Sequence, residues 1–219
     1  MRILFFDTET NGLPPRDRNC LSSDVDKWPH IVQIAWQVWN FAEDPVLVNA
    51  YVAILKPEPN LVWNEGSQAI HGISRDMAVA EGLPGTEVFA EFSTAASAAD
   101  IVIAHNLAFD KPVVMAAYYR MNPAEKFSWW PGQNYCTMDN TKALCKLPSK
   151  FARPSDPYKW PTLGELYKFL FGTTSELSLH SADADVECLV TCFRELVRRE
   201  VVPLETWRRV LRARAAART

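Results

Sequence analysis

Met1-Arg2-Ile3-Leu4-Phe5-Phe6-Asp7-Thr8-Glu9-Thr10-Asn11-Gly12 is the stretch from which the rest of the chain is read. Its apolar run, Ile3 to Phe6, has the length and composition of a buried central strand. The run ends in two carboxylates at spacing two, Asp7 and Glu9, which alternation along a strand places on one face. Two like charges about 6–7 Å apart at a strand end repel unless a cation lies between them. Taken alone, the pair also reads as a solvated strand end with Asn11-Gly12 as the following turn.

The composition narrows the class. A chain of 219 residues with 48% apolar and 22% charged content is long enough for one domain with a substantial core. The net charge of −3 argues against a tight, sequence-reading DNA binder. The charge is uneven: the segment from Arg198 onward carries seven Arg against two Glu. Five cysteines without a C-x-x-C pair fit a reducing, cytoplasmic setting. Cys188 and Cys192 stand i,i+4 on an expected helix, but a zinc site with His180 lacks a fourth ligand, so they read as core thiols. No stretch is long enough to span a membrane, and the four-residue apolar run before Asp7 is too short for a signal peptide. With only eight glycines, Gly12, Gly72, Gly164 and Gly172 are expected where the backbone needs them.

Outward from the first strand, 13–29 reads as a long polar surface loop near the Asp7/Glu9 end. Strands are expected over 31–41 and 46–55, joined by a turn at 42–45 as a meander. Short helical pieces follow at 64–70 and 74–80, broken at Gly72, then a helix over 86–98 with Thr86 as its N-cap. A buried strand over 100–105 leads into a helix over 107–121. Further helices are expected at 137–145, 162–171, 182–199 and 203–213, with an irregular lobe at 146–161. Strands first, then strand–helix alternation, gives an α/β domain with a mixed β-sheet flanked by helices on both faces.

Two distant segments complete the pattern. The strand ending at Ala104 runs into His105-Asn106-Leu107-Ala108-Phe109-Asp110, and far downstream stands His180-Ser181-Ala182-Asp183-Ala184-Asp185. Asp7, Glu9, Asp110 and Asp185 together make an oxygen set suited to hard cations. Two such ions can clamp the attacking and leaving oxygens of a phosphodiester.

These three segments, in this order, resemble the motifs of the DEDDh (DnaQ-like) family of 3′→5′ exonucleases, which includes the epsilon subunit of DNA polymerase III, ribonuclease T and the TREX-type nucleases. His180 lies five residues before Asp185, as in the histidine branch, while the tyrosine-branch position is Ser181. Ile70-His71-Gly72-Ile73 and Cys136-Thr137-Met138 resemble further family segments. The resemblance covers the chain from Ile3 to about Arg199 and implies a ribonuclease H-like domain over 1–200, with 201–219 as a basic helix or frayed tail of the same unit.

The resemblance also implies roles. Asp7 would bridge two Mg²⁺ ions, for which Mn²⁺ can substitute; Glu9 and Asp185 would complete one ion's site, and Asp110 would support the other. His180 would be the general base. Thr8, Thr10, Gly12, Leu13, His71, Asn106 and Phe109 fall at substrate-side positions. Leu13 reads as a wedge against the terminal base or as a core leucine. His71 reads as a nucleotide contact or a helix cap, and Asn106 as a substrate contact or a partner for backbone groups. His105 reads as structural. The implied activity is release of nucleoside 5′-monophosphates from single-stranded 3′ ends, DNA favoured over RNA, with a polymerase or a second copy as protein partner. An exoribonuclease, or a nucleic-acid-binding module without catalysis, are the alternatives; His180 argues against an endonuclease or integrase. The basic and aromatic residues Lys146, Lys150, Phe151, Arg153, Tyr158, Lys159 and Trp160 could line a strand groove, but read first as an ordinary packed lobe. Arg208, Arg209, Arg212, Arg214 and Arg218 read first as a solvated helix face.

Overall fold

The computed structural model describes residues 1–17, 19–124, 126–175 and 180–216, and side chains as far as residue 213. Arg214 and Arg218 therefore lie outside the side chains described. The first strand, β1 (Arg2–Thr10), is the middle of a five-stranded sheet. It pairs antiparallel with β2 (Ile31–Asn40), which pairs antiparallel with β3 (Val46–Ile54). On its other side it pairs parallel with β4 (Ile101–Ala104), which pairs parallel with β5 (Asn134–Cys136). The order is β3-β2-β1-β4-β5, an α/β mixed sheet as expected.

Between β3 and β4 run α1 (Glu65–His71), α2 (Arg75–Glu81) and α3 (Gly85–Ser97). After β4 come α4 (Leu107–Met121) and, beyond β5, α5 (Thr137–Cys145). A hairpin of β6 (Pro148–Arg153) and β7 (Asp156–Tyr158) precedes α6 (Leu163–Phe171), α7 (Ala182–Arg198) and α8 (Leu204–Ala216).

Alternation along β1 sorts the core into two layers. Ile3 and Phe5 point into a cluster with α6 and α7, where Phe5 and Phe193 meet edge-on at 5.1 Å. Leu4 and Phe6 point the other way, into a cluster with α3 and α4. All four are fully buried, and burial of side chains this size contributes about 1.5–3 kcal/mol each. The same alternation turns Asp7 and Glu9 toward α7 and Thr8 toward α4. A register shift between Glu9 and Thr10 closes the pairing with β2.

Several elements differ from the expectation. β1 continues past Phe6 to Thr10 because its backbone keeps pairing with β2. α3 begins at Gly85 with Pro84 at its N-cap, so Thr86 is inside the first turn rather than the cap. Proline's fixed φ sets the entry there without a side-chain acceptor. The 146–161 stretch is not wholly irregular, since it contains the β6–β7 hairpin, and β5 is a short strand for which the sequence offered no element. The 13–29 loop carries a 3-10 turn at Val25–Lys27. Gly72 and Gly172 end α1 and α6 in the left-handed region, whereas Gly12 and Gly164 do not. All five cysteines are free, and Cys188 and Cys192 are buried. Trp207 of α8 packs edge-on against Tyr135 at 5.2 Å. Among the described residues no helix is long and apolar enough to cross a membrane.

Candidate active site

The parallel strands β1, β4 and β5 all end on one edge of the sheet, and the carboxylates collect there. Asp7 and Glu9 arrive by strand alternation on the α7 face. Asp185 arrives because the N-terminus of α7 is fastened to the sheet: the buried Gln33, register partner of Glu9, accepts the Ala182 backbone N–H on its Oε1 at 2.8 Å. One carboxylate oxygen each from Asp7, Glu9 and Asp185 then lie within 4.8 Å of one another.

Crowding and burial make this an unfavourable place for bare negative charge. Burial, then the charges of Asp110, Asp185 and Glu9, hold the Asp7 carboxyl well above the usual range. Burial and Asp185 push Glu9 up to about 7. Burial also raises Asp185, against the pull of the His180 backbone N–H and the nearby imidazole. A divalent cation would relieve that repulsion, and the donors are all hard oxygens.

Asp110 is placed differently. It sits on the first turn of α4, on the opposite side of β1, only 2% exposed. Thr8 donates its hydroxyl to Asp110 Oδ1 at 2.7 Å, a bond that lowers the carboxyl while burial pushes it up to about 7. Asp110 thus adjoins Asp7 without joining the compact trio.

The turn before Asp110 is held by its neighbours. Asn106 adopts a left-handed conformation (φ 74°), which swings the chain from β4 into α4; its side chain makes no cap bond. His105 Nε2 meets the Pro161 carbonyl at 3.0 Å and Nδ1 meets Thr137 Oγ1 at 2.9 Å. Burial pushes this imidazole down to about 4, so it is neutral and structural, as its sequence position suggested.

His180 is exposed, with a left-handed backbone (φ 82°), and its N–H donates to Asp185 Oδ2 at 3.0 Å. Its backbone is therefore tethered to the trio through Asp185. The segment just before it, 176–179, lies outside the described residues.

The substrate-side candidates divide. Leu13 is 87% exposed, which excludes a core role. With Gly12, Trp28, His30, Leu61 and Val62 it lines a groove of about 490 Å³ that continues from the Glu9 end of β1. Thr10 is buried and donates to the Gly12 carbonyl at 2.8 Å, fixing the turn. Phe109 is half-buried against the α3/α4 core. His71 is buried in α1; its Nδ1 accepts the Ile73 N–H at 3.1 Å, while Nε2 is without a partner among the described residues.

Two positioning residues escaped the sequence reading. Gln33 had one signal, a polar side chain inside the apolar run Ile31 to Trp36. Asn11 had none beyond its turn propensity. Its N–H donates to the His30 carbonyl at 3.0 Å, its Oδ1 accepts the His30 N–H at 2.7 Å, and its Nδ2 donates to the Val62 carbonyl at 3.2 Å. Asn11 so joins three segments around the groove.

With this geometry in place, comparison with known proteins is informative. Residues 4–193 match the exonuclease family model named for ribonuclease T. Exonuclease I from Methylocaldum szegediense shares 19% identity at a TM-score of 0.66, over 90% of this chain and 40% of that one. The zinc-bound E. coli exonuclease I complex with single-stranded DNA shares 20% identity at a TM-score of 0.69, over 90% and 40% of the two chains. The E. coli enzyme with a dT13 oligonucleotide shares 20% at 0.68, over 90% and 41%. The chain thus spans about 40% of the length of the exonuclease I structures it matches. No curated protein sequence matches it. The family is divalent-metal dependent, in keeping with the acidic cluster. By its match over residues 4–193 and the exonuclease fold on which its motifs converge, this chain belongs to the DEDDh, DnaQ-like family of 3′→5′ exonucleases.

Proposed function

We propose that the protein removes nucleotides one at a time from single-stranded 3′ ends, with DNA preferred over RNA. The observation that carries this reading is the convergence of Asp7, Glu9 and Asp185 within 4.8 Å, with His180 bonded to one of them through its backbone. DNA is favoured because exonuclease I structures similar to this chain include complexes with single-stranded DNA. We infer the exonuclease domain to run over 1–200, with α8 packed onto it through Trp207 as part of the same unit. Five free cysteines support a reducing, cytoplasmic setting.

Asp7, Glu9 and Asp185 would hold one Mg²⁺, and Asp7 with Asp110 a second; Mn²⁺ carries the same hard-oxygen preference. Bound there, such ions lower the pKa of water and neutralise charge on the phosphate. His180 takes the proton from the attacking water, an imidazole being suited to this near neutral pH. The water oxygen bonds to phosphorus, the P–O3′ bond breaks, and the leaving 3′ oxygen takes a proton from solvent, so that the shortened strand carries a 3′-hydroxyl and nucleoside 5′-monophosphate is released. Leu13, exposed at the groove's edge, packs against the terminal base and turns its phosphodiester toward the carboxylates. Asn11 and Thr10 keep that wall in place.

The test is digestion of 5′-labelled single-stranded DNA and RNA of matched sequence, with Mg²⁺, with EDTA and with Asp7→Ala. A metal-dependent ladder shortening from the 3′ end, faster on DNA and lost in the variant, is the expected result. Absence of cleavage with either Mg²⁺ or Mn²⁺ would refute the proposal.

A further inference from the structure

The β6–β7 hairpin has features that the catalytic centre does not use. Its first strand has six residues and its second three, with the pairing shifted between Pro148 and Arg153. The longer strand must therefore bow outward, and Phe151 stands on the bow at 90% exposure. Lys150 precedes it, Arg153 follows two residues on, and Lys146 stands at the hairpin's root. All three cations are exposed and make no ion pair among the described residues. From Lys146 to Arg153 the chain carries three positive charges and no negative one, within a protein of net charge −3.

The projection is fixed rather than loose. Lys142 of α5 pairs with Asp156 at 2.6 Å and lies 3.8 Å from the centre of the Trp160 ring, which is itself half exposed. Lys159 donates its backbone N–H to the Leu147 carbonyl at 2.9 Å. The root is also tied to the site: the Pro161 carbonyl accepts from His105, five residues before Asp110. Tyr158, which closes the hairpin, is three residues from Pro161, at most about 10 Å of chain. The bowed strand therefore starts beside the edge of the sheet where the carboxylates gather.

A fully exposed aromatic ring between unpaired cations suits a ligand with flat faces and repeated negative charge. That is the chemistry of single-stranded polynucleotide, whose bases stack on aromatic rings while phosphates meet Lys and Arg. We infer that the β6–β7 hairpin is a strand-holding site, in which Phe151 stacks on a base upstream of the 3′-terminal nucleotide and Lys150 and Arg153 contact the flanking phosphates. This inference rests on the exonuclease reading and gives its substrate a second point of contact. Such a contact slows loss of long strands between cuts and does nothing for a substrate one nucleotide long.

The experiment compares the wild-type chain, Phe151→Ala, and Lys150→Ala combined with Arg153→Ala. Binding of fluorescein-labelled dT20 and rU20 is followed by anisotropy in EDTA across a salt series. Hydrolysis of the p-nitrophenyl ester of thymidine 5′-monophosphate, which fills only the terminal site, is measured with Mg²⁺. Phe151→Ala is expected to weaken dT20 binding roughly tenfold. The double variant is expected to flatten the slope of log affinity against log salt by about 1.4, at about 0.7 per phosphate contact. Hydrolysis of the small ester should stay at the wild-type rate in all three. Wild-type affinity and salt slope in the variants overturn the inference, as does an equal loss on the small ester, which marks damage at the centre. A wild-type chain that cleaves neither ester nor strand refutes the exonuclease reading instead.

Discussion

Gln33 and Ala182 are 149 residues apart in sequence, yet the amide oxygen of one accepts the backbone N–H of the other at 2.8 Å in a buried position. This bond fixes the first turn of α7 against β2, beside Glu9, and so sets where Asp185 stands. Replacing Gln33 by Leu keeps the volume and removes the acceptor. An unsatisfied buried N–H costs about 1–3 kcal/mol. Gln33→Leu should therefore lower the thermal midpoint by about 2–12 °C for a chain of this size and weaken Mg²⁺ binding; calorimetry with and without metal reads both.

Thr8 and Asp110 make the corresponding link on the other face of β1. The Thr8 hydroxyl lowers the Asp110 carboxyl against burial, and with that bond in place the carboxyl still stands at about 7. Thr8→Val removes that bond and lets the carboxyl rise further. The acidic limb of the pH–rate profile should then move to higher pH, with activity at pH 6 falling more than activity at pH 8.5. A profile that drops uniformly would count against this coupling.

The raised carboxyls also make stability depend on pH in the absence of metal. Glu9 and Asp110 rise from near 4 to about 7 in the folded state, and Asp7 rises well above its usual value. The folded chain thus holds more protons than the unfolded chain between about pH 4 and pH 7. Their contribution is fully present below pH 4 and is lost as pH rises through 7. Asp7→Asn should raise the melting temperature in EDTA at pH 8 by about 3 °C or more, with less gain at pH 5, and should reduce the further rise expected of the wild type with Mg²⁺. Melting curves at the two pH values, with EDTA and with Mg²⁺, measure this.

Leu13 projects into solvent at 87% exposure, so its removal should leave stability within about 0.5 kcal/mol of wild type. Leu13→Ala should nonetheless lower kcat/KM on single-stranded DNA by roughly 10-fold, the cost of losing one apolar contact with a base. Leu13→Met should restore most of it. Loss of stability in step with activity would assign Leu13 a packing role instead.

Much of the centre was legible in the sequence because its information is local. Strand alternation alone puts Asp7 and Glu9 on one face. The five-residue separation of His180 and Asp185 across the start of a helix puts the His180 backbone within reach of the Asp185 carboxylate. The sheet with helices on both faces followed from the order of periodic segments. Hydrophobic period, chain order and turn residues are carried by neighbours in sequence and need no knowledge of the rest of the chain.

What only the tertiary structure decided depends on contacts between distant segments. Asp110 stands on the far side of β1 from the other three carboxylates because Thr8, 102 residues away, receives it there. Asp185 reaches the trio because Gln33 anchors the helix that bears it. Phe151 stands exposed because β6 has more residues than β7 can pair. No local period encodes these choices: each buried polar group takes the partner that the packing of layers brings to it, and a bulge is fixed by two strands together rather than by either one.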